Sequence, residues 1–192
     1  MKQFLESNNF LETIATQSRA NGEEARTLVA GLTEAQLNWK PAPDKWSIAQ
    51  CLEHLTVASR GFNTYFVDLL ARGRQKWTVT SRPLYKPSFM GGLLIKQVQP
   101  QAPRKLSAPK IFQPSSSEVQ GALENFLDQQ KKFLQFVAGT EGIDYNKTRM
   151  RSPVTPLIRY SLADAYVITV VHEQRHLAQA RRVRALPNFP TM

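Results

Sequence analysis

Apolar positions recur along this chain at spacings of three and four residues, and segments that alternate apolar with polar are scarce. Four long helices account for the pattern, at about residues 8–31, 48–74, 116–138 and 162–185. In the first, Leu11, Ile14, Ser18, Ala25, Leu28 and Leu32 make one stripe that keeps its phase across a weak spot at Asn21-Gly22. A short turn with the form of a capping box, Thr33-x-x-Gln36, and the helix-breaking Lys40-Pro41-Ala42-Pro43 separate it from the second helix. That helix opens on a further box, Ser47 to Gln50, with Trp46 ahead of it as an apolar staple, and turns Cys51, Leu55, Ala58, Phe62, Phe66 and Leu69 inward.

Residues 75–114 break the periodicity and hold six of the twelve prolines. A structureless run of that length is unusual in a compact domain, so the expectation is a long crossover with a short helix within Phe89 to Val98. The third helix is expected to start at Ser115-Ser116-Ser117-Glu118 and to stop at Gly139, with Val119, Leu123, Phe126, Phe133, Leu134 and Val137 as its stripe. A loop through Pro153 and Pro156 leads to the fourth helix, which begins near Ser161 with Asp164 in its first turn and ends before Pro187. Together these predict an all-α fold, a four-helix bundle in one domain over 1–192. The short connection makes the first two helices antiparallel neighbours in this reading.

The length of 192 residues suits one domain. No window is apolar enough for a membrane span, and the first ten residues lack the pattern of a secretory signal. A single cysteine, Cys51, excludes an internal disulfide and fits a cytoplasmic protein. The surplus of 25 Lys+Arg over 15 Asp+Glu gives +10, which raises the question of a nucleic-acid partner. The surplus is spread evenly except for Arg175, Arg181, Arg182 and Arg184, where cations favour the end of the last helix. No nucleic-acid motif accompanies it, so nucleic acid is not an expected partner, and attraction to a small anionic substrate uses the charge equally well.

The chemistry lies in the three histidines. His172 and His176 are four apart on the inward face of the fourth helix, with Ala165, Ile168, Gln179 and Val183. His54 falls on the inward face of the second with Cys51, Ala58 and Tyr65. Buried polar groups need partners, and a metal ion held by three imidazoles with open coordination positions is one solution. A hydrogen-bonded core histidine and a pair facing a polar cleft is the other. The string His172-Glu173-Gln174-Arg175-His176 also has the form of the zinc-protease signature, but neither acid nor histidine follows it to serve as third ligand. Glu173 and Glu53 flank the histidines as weak candidates for a catalytic base, more simply read as solvated charges. Gln179 is placed to support His176, and Cys51 could be a ligand, a nucleophile or packing. Trp39, Trp46 and Tyr65 are core by default.

Trp46-Ser47 with His54-Leu55 resembles the "WSxxxxxxHL" segment of DinB-like proteins, and Leu37 to Lys45 resembles that family's approach to the helix. His172 to Gln179 is similar to its closing "HxxxHxxQ" segment. The resemblance spans nearly the whole chain and is weakest in the crossover. It implies a bundle of the DinB/YfiT type whose His54, His172 and His176 bind a divalent metal, with zinc, nickel and iron all suited to imidazole. It also implies thiol S-transfer or hydrolysis of a small molecule, a low-molecular-weight thiol as cosubstrate, and a homodimer. A bundle that binds metal or a small ligand without catalysis, in a stress-related role, is the alternative.

Overall fold

A computed structural model describes residues 1–102, 108–115 and 118–191. Its helices are α1 (Lys2–Leu5), α2 (Phe10–Val29), α3 (Glu34–Asn38), α4 (Ile48–Lys76), α5 (Phe89–Val98), α6 (Ala122–Ala138) and α7 (Leu162–Arg184). The fold is all-α, with a two-stranded antiparallel hairpin, β1 (Arg149–Arg151) and β2 (Arg159–Ser161), before α7. Among the described residues no helix is long and apolar enough to cross a membrane.

Local chemistry sets most of the helix starts. Thr33, Ser47 and Ser161 each close a reciprocal capping box, with Gln36, Gln50 and Asp164 respectively. Asn9 caps α2 by accepting from the Glu12 amide. Helix α6 begins differently from the sequence expectation. Residues 118–121 are irregular, Gly121 stands at φ 58 with no side-chain cap, and the helix starts at Ala122. Ser115 does not cap it, and Ser116 and Ser117 lie outside the described residues. Val119, expected in the stripe, is buried ahead of the helix, where its N–H donates to Asn38 Oδ1 and its carbonyl accepts from Asn38 Nδ2.

The helix arrangement also corrects an expectation. Helices α2 and α4 each pack against both α6 and α7 and scarcely against each other, so they are diagonal, not neighbours. The connection between them contains α3 and a Pro loop, which gives it the reach to cross the end of the bundle. Two apolar clusters fill the interior. One joins Phe10, Ile14, Phe66, Phe133, Tyr166 and Val170, and the other joins Ala25, Leu52, Leu55, Phe126, Leu177 and Ala180.

Between the clusters runs a polar layer. Asn21 Nδ2 and Gln130 Nε2 donate to Glu173 Oε2 at 2.8 and 3.1 Å, and they also reach the carbonyls of Val170 and Ser18. A methyl group on Gly22 would collide with the Gln130 side-chain oxygen, so the Asn21-Gly22 pair is where α2 and α6 cross closely. The crossover is held down by Asp164, whose buried carboxylate accepts from Tyr85 Oη and from Ser88 Oγ at 2.7 Å. Ser88 is itself the N-cap of α5, which therefore docks on the start of α7.

Candidate metal centre

His54 sits two turns into α4, after the Ser47–Gln50 capping box has fixed where that helix begins. His172 and His176 are one turn apart on α7. Because α4 and α7 are neighbours, the three side chains converge. One nitrogen from each can be chosen so that all three lie within 4.8 Å of one another. His54 Nε2 and His172 Nε2 are 3.1 Å apart, and the ring centroids are separated by 4.5–5.0 Å. His54 and His176 are buried, and His172 is the least buried of the three.

Their second nitrogens fix how the rings present themselves. His54 Nδ1 lies 2.5 Å from the Phe112 carbonyl oxygen, which can only accept. The proton is therefore on Nδ1, and Nε2 carries a lone pair toward His172. His176 Nδ1 lies 3.1 Å from Gln179 Oε1, an amide oxygen, which places its proton on Nδ1 as well. Burial pushes the His54 imidazolium below its ordinary range, and the Phe112 carbonyl acts weakly in the other direction. His172 is held well below that range by burial and by His176, His54 and Arg175. His176 is pushed down to about 3, first by burial and then by His54 and Arg175. At neutral pH the site is three uncharged imidazoles, and in His54 and His176 the Nε2 atom is the one left with a lone pair, the state a divalent metal requires of its ligands.

The other sequence candidates separate clearly. Gln179 is at His176, as its spacing suggests. Glu173 is not a solvated charge. It is 1% exposed, its hydrogen bonds run across the bundle to α2 and α6, and burial raises its carboxyl to about 7. Glu53 is half-buried on the flank of α4, where it accepts from the Ser115 amide at 2.7 Å. Cys51 is fully buried among Ala25, Leu28, Leu177 and Ala180, and desolvation pushes its thiol up to about 12. It lies outside the histidine cluster and serves as packing. Tyr65, expected to face inward, is 40% exposed near the middle of α4.

Two contributors were not assigned to the site from the sequence. The Trp46 ring stacks on His176 with a centroid distance of 5.6 Å and leans on His54 at 4.9 Å. Its staple position before the cap was legible, but its contact with the histidines was not. The Phe112 carbonyl comes from the far end of the crossover, and a backbone oxygen carries no residue-type signal.

A family model described as the DinB superfamily matches residues 17–180. No curated protein and no solved structure matches the chain at a significant level.

Proposed function

The chain belongs to the DinB superfamily, and from that membership and the histidine geometry we propose a metal-dependent enzyme that transfers a thiol to, or hydrolyses, a small electrophilic molecule. One observation carries the reading. Three nitrogens that can face one point lie within 4.8 Å of each other, and two of the rings have their remaining nitrogen engaged elsewhere. Ligands about 2.1 Å from a shared tetrahedral ion stand roughly 3.4 Å apart, close to the 3.1 Å between His54 and His172. An all-imidazole donor set suits zinc, nickel or iron, and three protein ligands leave coordination open.

A divalent ion there would supply a Lewis acid able to activate a thiol or a water at neutral pH. The chain's own residues do the rest. Phe112 and Gln179 hold two rings in the ligating tautomer, Trp46 shields one side, and the partly exposed His172 marks the approach. Glu173 and Glu53 are both committed to hydrogen bonds within the fold, so the reading assigns neither the role of base. The same proposal includes a cytoplasmic homodimer, for which Phe89 and Leu93, exposed one turn apart on α5, offer apolar surface.

The test is cobalt(II)-loaded protein titrated with 2-mercaptoethanol and with cysteine, followed by absorption. The proposal expects a new thiolate-to-cobalt band that saturates. A cobalt spectrum indifferent to both thiols and to small anions would instead favour a closed, non-catalytic binding bundle.

A further inference from the structure

The last residues of the crossover run along α4 beside His54 and are tied to it at four points. Gln50 Nε2 donates to the Ser115 carbonyl at 2.8 Å, and the Ser115 amide donates to Glu53 Oε2 at 2.7 Å. His54 Nδ1 donates to the Phe112 carbonyl at 2.5 Å. The Phe112 ring lies over Gly61, where a methyl group would stand 2.9 Å from the ring's Cε1. Gln50, Glu53, His54 and Gly61 follow one another along one side of α4, so the contacts form a continuous seam.

The aim of the Phe112 carbonyl has a local cause. Lys110–Phe112 is a single 3-10 turn in which the Phe112 amide donates to the Pro109 carbonyl. The final carbonyls of such a turn have no partner inside it and must find one outside. Here the partner is His54. The sequence spends a glycine and an acid of α4 on seating this segment, beside the one ring on that helix that faces His172 and His176.

We propose that residues 112–115 are a positioning strap, which fixes the tautomer and ring orientation of His54 and so sets the strength of the metal site. Phe112 acts through its backbone oxygen, its ring seats the strap in the Gly61 notch, and Glu53 serves as a hydrogen-bond acceptor for Ser115. The effect on metal affinity rests on the metal reading above. The effect on the His54 tautomer is a property of the metal-free protein and stands apart from it.

The experiment moves side-chain volume across the notch. Gly61→Leu fills it while substituting a better helix former, so α4 is not weakened. Gly61→Leu/Phe112→Ala returns the space and leaves the backbone carbonyl in place. Each protein is examined twice, by two-bond 1H–15N spectra of the metal-free imidazoles and by zinc affinity in chelator competition. Gly61→Leu is expected to lose the single Nδ1–H tautomer of His54 and to bind zinc about 10- to 100-fold more weakly. The double variant is expected to restore both. Glu53→Ala should weaken zinc in the same direction, whereas Glu53→Gln, which keeps an acceptor oxygen, should match the wild type. A Gly61→Leu protein with wild-type tautomer and wild-type affinity overturns the strap. So does a double variant that folds with its helix content intact yet recovers neither property. If the wild type binds neither zinc, nickel nor iron, the metal reading fails, and the strap is then judged on the tautomer alone.

Discussion

His54 and His176 owe their tautomers to what their other ring nitrogen touches, and all three histidines of the cluster owe their neutrality first to burial. The spacing of His172 and His176 and the inward phase of His54 were legible in the sequence, because helical periodicity alone puts them on buried faces. Their tautomers were not legible, since one depends on a carbonyl 58 residues away from its histidine. Glu173 shows the converse. Its sequence position beside His172 suggests a flank charge, yet α2 and α6 close over it. These burials fix how stability responds to acid. A histidine held neutral in the fold but ordinary when unfolded favours unfolding as pH falls below about 6.5. For His176 that loss runs down toward its folded value of about 3. Glu173, raised to about 7, opposes it, because the fold keeps a proton that the unfolded chain releases above its ordinary 4.5. Three imidazoles outweigh one carboxyl over most of the shared range. Chelator-treated protein should therefore show a lower urea midpoint at pH 5 than at pH 7, with a steeper fall in Glu173→Gln. A midpoint that rises on acidification would contradict this balance.

Among the elements, those that announce themselves in sequence are those whose ends are set by side chains. The boxes at Ser47 and Ser161 place α4 and α7, and the short helix Phe89–Val98 is where residue pattern puts it. The start of α6 misled because a serine run resembles a cap, whereas Ser115 spends its amide and carbonyl on Glu53 and Gln50. The hairpin went unread because three-residue strands are too short to show alternation, although Met150 faces the core between exposed Arg149 and Arg151, and Tyr160 is buried after exposed Arg159. Asn21-Gly22 looked like a weak spot and is a crossing point. Gly22→Ala should gain about 1 kcal/mol of helix propensity. It should still lower stability by roughly 1–3 kcal/mol net, because the Cβ displaces Gln130 from Glu173. Denaturant melts measure this, and a stabilised Gly22→Ala protein would mean that α2 and α6 separate freely at that point.

At the scale of the molecule, the diagonal placement of α2 and α4 leaves α4 and α7 side by side along the seam that holds the histidines. Local pattern gave four helices but not their order around the axis, which depends on how far the connections reach. The crossover is fastened at both ends, by Asp164 to Tyr85 and Ser88 and by α4 to Ser115 and Phe112. Asp164→Ala removes the α7 box and unlatches α5 together, and should cost about 3 kcal/mol in a thermal or denaturant melt. Much of the basic surplus at the end of α7 is absorbed in the same structural way. Arg184 donates to the carbonyls of Thr27 and Leu28 at the end of α2, Arg175 to those of Gln97 and Gln99, and Arg181 pairs with Glu24. What remains is the claim that the three histidines hold an ion. Elemental analysis of tag-free protein, purified without added metal and run beside His176→Ala, tests it most directly. The account predicts about one divalent metal per chain in the wild type, lost from a variant that keeps its helix content. A wild type that stays empty after exposure to zinc, nickel and iron, or a variant that retains the full complement, would contradict it.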